Sequence, residues 1–439
     1  MPFLAVMANQ RSVEEAAEIA ARFTNQQPRL RMALKADRKA TDLRLAHQAM
    51  KNEKDEAAFY VFNQGEENGF VIVSADDRTA EEVLVYSDKG TFDADKINPT
   101  FAWWLSRFTN EISSIADDAA PAQAPAATQE VTPIEPLLVN KNGEEIAWDQ
   151  TSPYNAYCPT DRRDGTKCYT GCVATATAQI MYKWCWPIKG TGSSSYTWYD
   201  CLSTDTWGTC KNSYDTILSV NYEETTYEWN QMIATYKNKK GTGNQRRAVA
   251  LLMYHCGVAS EMGYGGEAAG GSGTLTDYMA YGLEHYLGYE YEKYITMWPK
   301  SYQAHDDVPT DYNVKRSKFI ELFNQDLEAG RPILMGGQSS SYGHAFVCDG
   351  RDKDNKFHIN WGWEGDSNCY TALSVLQPDD ETDQFKDGLD AIIGLHPAAP
   401  YAVENTQAEK KNASKILQDG QVLIVREGVQ YNIVGQRVR

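Results

Sequence analysis

Hydrophobic and polar positions follow two different periods in the first 116 residues. Apolar residues recur three and four positions apart after the capping-box sequence Ser12-Val13-Glu14-Glu15, which predicts the start of a helix. Short runs rich in Val, Ile, Phe and Tyr predict strands. The patterns predict helices over 10–23 and 101–115 and strands over 59–62, 70–73 and 83–86. This part of the chain is therefore predicted to be a small α+β domain.

A second pattern begins near residue 131, with helices first and strands afterwards. Pro187 ends the first helix, and glycines follow the next three. The predicted helices are one starting at Cys172 and those over 245–256, 274–287 and 318–329, and the predicted strands are 332–335, 344–348, 357–361, 370–376 and 391–395. Helices followed by an antiparallel sheet indicate an α+β domain.

An Ala/Pro-rich stretch at 117–127 separates the two patterns and is typical of an exposed linker, where proteases cut. The tail begins polar and then offers short apolar runs at 422–425 and 429–434, which predict two or three strands. The predicted domains are therefore 1–130, 131–398 and 399–439.

Charge and terminal sequence narrow the function classes. The 439 residues carry a formal net charge of −18, which argues against a nucleic-acid or anionic-membrane partner. No apolar run is long enough for a membrane span, so none is expected. Residues 2–8 are apolar and resemble the end of a secretory signal, although a frayed terminus is an equal alternative. A protein outside the cell is expected.

Nine cysteines lie between residues 158 and 369, so all belong to the second domain. The odd number fits one working thiol plus up to four disulfides, or no disulfide at all. Cys201 and Cys210 are the best candidates for a pair, within a loop rich in Ser, Thr and Gly. Cys168 and Cys172 have no second ligand pair at zinc spacing, so neither a metal nor a cofactor is expected.

Cys172 stands at the predicted start of a helix, and the residues that follow it at 173–176 are small. Unpaired N–H groups and the helix dipole at that position favour thiolate over thiol. The alternative is a small buried apolar cysteine without a chemical role, and a base elsewhere in the chain is needed to decide between them.

His344 is the candidate base, because it begins an apolar strand after a flexible loop. Asn360 follows sixteen residues later on the next predicted strand, where its amide oxygen would orient the imidazole, and Trp361 would shield that contact from water. Gln150 offers an amide N–H for an oxyanion hole. Alternatively, His344 is a structural hydrogen-bond donor and Gln150 is a loop amide in water.

The segments Gly171–Ala176, Gly343–Phe346 and Asn360–Trp363 together resemble the streptopain family of papain-like cysteine peptidases, and most of all the interpain-like zymogens of Bacteroidetes. The resemblance implies that Cys172 is the nucleophile and that His344 is the base and later the acid. It implies that Gln150 and the N–H of Cys172 hold the oxyanion, and that Asn360 with Trp361 orients His344.

The same resemblance implies a secreted endopeptidase that cleaves proteins and peptides and is inhibited by its own propeptide, residues 1–130. Glycine-rich segments 263–273 and 336–343 would line a cleft that prefers an apolar residue two positions before the cut. The tail resembles short C-terminal sorting segments of secreted proteins. The alternatives are a transglutaminase-like acyltransferase, whose histidine an Asp would orient, and a non-catalytic adhesion protein on a peptidase scaffold.

Overall fold

The computed structural model describes residues 10–34, 37–52, 55–116, 131–204, 210–300, 304–338, 343–374, 388–398, 414–418, 421–426 and 429–431. The predicted signal remnant at 2–8 and the predicted linker at 117–127 lie outside these residues. Residues 339–342 of the predicted cleft loop also lie outside them. We call residues 10–116 the N-terminal region and residues 131–396 the central region.

Seven α-helices and eighteen strands are present in the described residues. The helices are α1 Val13–Gln26, α2 Pro28–Leu34, α3 Pro99–Ser114, α4 Cys172–Trp184, α5 Gly243–Ala259, α6 Thr276–His285 and α7 Arg316–Glu328. The strands of the N-terminal region are β1 Arg44–Met50, β2 Ala57–Asn63, β3 Phe70–Ser74 and β4 Val83–Ser87. The strands that follow are β5 Ser193–Thr204, β6 Cys210–Asn221, β7 Tyr289–Glu290, β8 Lys293–Thr296, β9 Thr310–Asp311, β10 Ile333–Gln338, β11 Gly343–Arg351, β12 Phe357–Asn360, β13 Cys369–Thr371, β14 Gly388–Ile393, β15 His396–Pro397, β16 Ser414–Gln418, β17 Gln421–Arg426 and β18 Val429–Tyr431.

The N-terminal region packs α1 and α2 on one face of its strands and α3 on the other. Helix α1 begins with the predicted capping box, in which Ser12 and Glu15 each accept the other's backbone N–H. Alternate residues of β2 and β3 face α1 on one side and α3 on the other, as the two-residue period of a strand requires. Strand β1 was missed by the sequence patterns, because its exposed residues give no apolar run.

One eleven-stranded sheet joins the N-terminal and central regions. Its order is β1-β2-β3-β4-β13-β12-β11-β10-β14-β8-β9, and all pairs except β8 with β9 are antiparallel. The junction lies between β4 and β13, where Tyr86 pairs with Tyr370 and Val85 pairs with Thr371. The sequence predicted these strands in two separate domains, because pairing between strands so far apart leaves no local signal.

Helices α4, α5 and α6 form the helical half of the central region and share one hydrophobic core with one face of β10 and β11. Beside them, β5 and β6 form a long two-stranded hairpin, and the Cys201–Cys210 disulfide joins its two strands. The predicted pairing of these cysteines is confirmed, whereas the predicted loop around them is wrong. Alternating Ser, Thr and Tyr residues on an exposed hairpin have the composition of a loop, which concealed the strands.

The C-terminal unit, residues 397–439, contains the antiparallel sheet β16-β17-β18. Two of its strands correspond to the runs predicted at 422–425 and 429–434. Within the described parts of the chain, no helix has the length and apolarity needed to cross a membrane. Nor do three or more His, Cys, Asp or Glu side chains gather there as metal ligands would.

Candidate active site

Helix α4 begins at Cys172 because of the residue before it. Gly171 has φ 86° and ψ 143°, a conformation that glycine adopts readily and other residues rarely adopt. A Cβ at this position would also lie 2.5 Å from the side chain of Met262. The helix then buries residues on all its sides, so it is held between α5 and the sheet rather than lying on the surface. The result is a rigid helix whose first residue is a partly exposed cysteine.

The thiol of Cys172 lies in a setting that favours its anion. Burial alone would raise its pKa, but the nearby imidazole of His344, which hydrogen-bonds to the sulfur, lowers it. Backbone N–H groups of Ala345 and Val173 lower it further, and the pKa lies below the ordinary value for a thiol. By contrast, burial raises the pKa of Cys168 to about 12, so that thiol stays protonated.

His344 is the second residue of β11 and is almost fully buried. Its Nε2 lies 3.1 Å from the carbonyl oxygen of Trp361. A carbonyl can only accept, so Nε2 carries the proton and Nδ1 is the ring nitrogen left for another partner. The imidazole plane lies 21° from that of the Trp363 indole, with ring centroids 6.0 Å apart.

The orienting contact to His344 comes from the backbone of Trp361, whereas the sequence predicted the side chain of Asn360 for that role. The amide of Asn360 instead donates to the carbonyl of Ile146 at 2.8 Å and accepts from the N–H of Gly362 at 3.0 Å. Asn360 therefore shapes the loop that presents the Trp361 carbonyl. A backbone acceptor has no residue-type signal, which is why the sequence pointed to the neighbouring amide.

Gln150 lies next to the start of α4. Its carbonyl oxygen accepts the N–H of Thr170 at 3.1 Å, which brings its backbone to the residue two before Cys172. The side chain is 9% exposed. This position is compatible with a donor, together with the N–H of Cys172, to the oxyanion that would form on a substrate carbonyl when the sulfur attacks it.

Helix α3 of the N-terminal region covers the sheet beside His344. Gly337 pairs with His344 across β10 and β11, and a Cβ on Gly337 would lie 2.2 Å from the Trp103 ring. The indole N–H of Trp363 donates to Thr100 at 3.0 Å. These contacts were not predicted, because each aromatic residue of 101–115 could equally have belonged to the core of its own domain.

Two family models match the chain. The model described as Peptidase C10 family matches residues 148–371, which include the helix of Cys172 and the strand of His344. The model described as Spi protease inhibitor matches residues 8–112.

Curated relatives and a solved structure are also similar. The thiol protease/hemagglutinin PrtT of Porphyromonas gingivalis is 32% identical over 364 residues, which cover 80% of this chain but 38% of that protein. Streptopain of Streptococcus pyogenes is 29% identical over 382 residues, which cover 83% of this chain and 87% of streptopain. The structure of a prointerpain A fragment of Prevotella intermedia matches with a TM-score of 0.60 and 30% identity, covering 80% of this chain and 98% of the fragment.

Proposed function

The chain belongs to the Peptidase C10 family, and from this premise we propose how its residues hydrolyse a peptide bond. The predicted family, the predicted α+β fold with a small inhibitory domain, and the predicted cysteine peptidase zymogen are confirmed by these matches. The acyltransferase and adhesion alternatives receive no support from them. The domain boundaries 1–130, 131–398 and 399–439 and the roles of individual residues remain predictions.

We propose that the thiolate of Cys172 attacks the peptide carbonyl. The oxyanion that forms is held by the N–H of Cys172 and the side-chain amide of Gln150. His344, as imidazolium, gives its Nδ1 proton to the leaving amine, and an acyl-enzyme remains. His344 then takes a proton from water, the resulting hydroxide releases the acid, and the thiolate–imidazolium pair is restored.

The single observation that supports this mechanism best is that the imidazole of His344 lies beside the Cys172 thiol at the start of α4 and lowers its pKa. A buried structural cysteine has its pKa raised by burial, as Cys168 does, whereas that of Cys172 is lowered. The Trp361 carbonyl supports the mechanism further, since it fixes the tautomer that leaves Nδ1 for the sulfur.

We further propose that the N-terminal region inhibits the central region until it is cut away. Support comes from the shared sheet and from the ring of Trp103 beside Gly337. Polar contacts extend the interface, since Lys356 forms an ion pair with Glu81 at 2.8 Å and Tyr86 donates to Asp352 at 3.0 Å. Proteins and peptides as substrates, and secretion, are part of the same proposal.

The test compares wild type, Cys172→Ala and Cys168→Ala, incubated with casein in the presence and absence of reductant. We expect wild type and Cys168→Ala to shorten from 49.2 kDa and to cleave casein, and Cys172→Ala to stay intact and inactive. Cys168 is the matched control because it is buried, lies four residues away and has a raised pKa. Equal cleavage of casein by all three proteins would exclude Cys172 from the mechanism.

A further inference from the structure

Gln179 is a fully buried polar residue of α4, two turns after Cys172. Its side chain points to neither solvent nor its own helix, but joins two other segments. Its Oε1 accepts the backbone N–H of Trp148 at 3.1 Å, and its Nε2 donates to Oδ1 of Asn360 at 3.3 Å. A buried side-chain amide in a helix is costly unless both its ends are satisfied, and here both are.

The two segments that Gln179 joins carry the other proposed functional groups. Trp148 stands two residues before Gln150, the proposed oxyanion donor. Asn360 directly precedes Trp361, whose carbonyl holds His344. One side chain on the nucleophile helix therefore contacts both the segment of the oxyanion donor and the segment of the histidine acceptor.

The same two segments are also tied to each other. The side chain of Asn360 donates to the carbonyl of Ile146 at 2.8 Å, and the N–H of Glu364 donates to the carbonyl of Trp148 at 3.0 Å. These bonds fix the segments relative to one another, and the amide of Gln179 fixes them relative to α4. Hydrogen-bonded networks of this kind hold their members in one arrangement when every group is satisfied.

We propose that Gln179 is a positioning residue for the cysteine peptidase reaction: its buried amide sets the position of the His344 acceptor and of the Gln150 segment relative to Cys172. The inference rests on the proposed function. The two bonds need a group that accepts at one end and donates at the other, which a side-chain amide does whatever the pH. A carboxylate in its place would retain the acceptor for Trp148 but would put an oxygen against Oδ1 of Asn360.

In the experiment the full chain is expressed and then matured, and wild type is compared with Gln179→Leu, Gln179→Glu and Thr177→Val. Thr177 is the matched control, since it lies on the same helix, is buried, and has a hydroxyl without a hydrogen-bond partner in the described residues. For each protein, kcat and KM are measured per active site titrated with an irreversible thiol inhibitor. The rate of Cys172 alkylation by iodoacetamide is measured against pH, and thermal unfolding is recorded.

We expect Gln179→Leu to lower kcat about 10- to 100-fold with KM nearly unchanged, because misplacement of catalytic groups by about 1 Å has effects of that size. The acid limb of the alkylation profile should move to higher pH, since the imidazole is held less firmly beside the sulfur. Gln179→Glu should change both properties in the same direction, and Thr177→Val should change neither.

A lowered unfolding temperature with unchanged kcat per titrated site and an unchanged alkylation profile would make Gln179 a structural residue only and overturn the inference. If Gln179→Leu does not fold, Gln179→Glu decides by the same two measurements. The alkylation profile needs no peptide substrate. If wild type shows no peptide cleavage that depends on Cys172, the proposed function is wrong. If wild type is active and the Gln179 variants have the same kcat per titrated site and the same alkylation profile, only this inference is wrong.

Discussion

Two helices pack on strands β10 and β11 from opposite faces of the sheet, and they do so with different side chains. Helix α4 shares a core with the face of Ala345 and Val347 to which it contributes Ala174, Ala176 and Ala178, and its backbone comes close to β11. Helix α3 meets the face of Met335 and Phe346 with large aromatic residues. The first contact places the nucleophile, whereas the second covers the neighbourhood of His344.

The difference follows from what each contact has to do. Small residues on α4 permit a close and permanent approach, which holds the sulfur of Cys172 beside an imidazole from another element. Aromatic residues on α3 bury a large apolar area through a few side chains, and the indole N–H of Trp104 donates to the hydroxyl of Thr371 at 2.8 Å. Trp361 contacts both His344 and α3. Its carbonyl oxygen accepts from His344, and the centroid of its ring lies 5.6 Å from that of Trp104.

The largest expected effect is on the α4 side, from His344→Ala. Loss of the base and acid should lower kcat/KM for a peptide substrate by about 100- to 10,000-fold. Because the imidazole helps to hold the pKa of Cys172 below its ordinary value, its loss should raise that pKa. Alkylation of Cys172 should thus need higher pH than in wild type, where thiolate persists on acidification. An alkylation profile equal to that of wild type would contradict the ion pair.

Next in size is the α3 side, tested by Trp103→Ala. Truncation of a buried Trp typically costs about 3–5 kcal/mol, so the uncut chain should become at least about 100-fold more active on a small peptide before maturation. The measurement is the initial rate of the uncut protein relative to its own mature form. The mature enzyme, which lacks Trp103, should be as active as wild type.

Ile19→Ala is the control for Trp103→Ala, because Ile19 packs on the opposite face of the N-terminal sheet. It should destabilise that region with less release of activity. Equal release by both variants would mean that general loosening of the N-terminal region, rather than the contact at Gly337, relieves inhibition.

A smaller effect is expected from Thr100→Val, which removes the acceptor for the indole N–H of Trp363. One hydrogen bond contributes about 0.5–1.5 kcal/mol, so the activity of the uncut chain should rise roughly five-fold. The same rate assay applies. A rise as large as that of Trp103→Ala would show that the hydrogen bond, and not the aromatic packing, dominates the α3 contact.

The smallest effect is expected where neither helix is involved. The double variant Cys201→Ser with Cys210→Ser opens the bridge of the exposed β5–β6 hairpin. We expect kcat/KM and the latency of the uncut chain to change less than about two-fold, since most exposed positions outside a site have little energetic weight. A large fall in the cleavage of casein but not of a small peptide would mean that the hairpin contacts protein substrates.

Local sequence determined the chemistry of the site and most of its elements. Gly171 followed by Cys172, an Ala-rich helix and a strand that begins at His344 are short-range patterns, and the structure brings both side chains together. The predicted pairing of Cys201 with Cys210 was also correct, although the sequence predicted a loop where the structure has a hairpin. Periodicity and helix-terminus chemistry act within a few residues, so one sequence is enough to predict them.

Tertiary structure decided which group holds His344 and what covers it. The acceptor is the backbone of Trp361 and not the side chain of Asn360, and the amide of Asn360 is bonded to a segment more than 200 residues away. The joining of β4 to β13 and the bonds of Gln179 likewise depend on residues far apart in the chain. Backbone carbonyls are alike in every residue, and strand partners are chosen by the folded sheet, so neither leaves a mark in the local sequence.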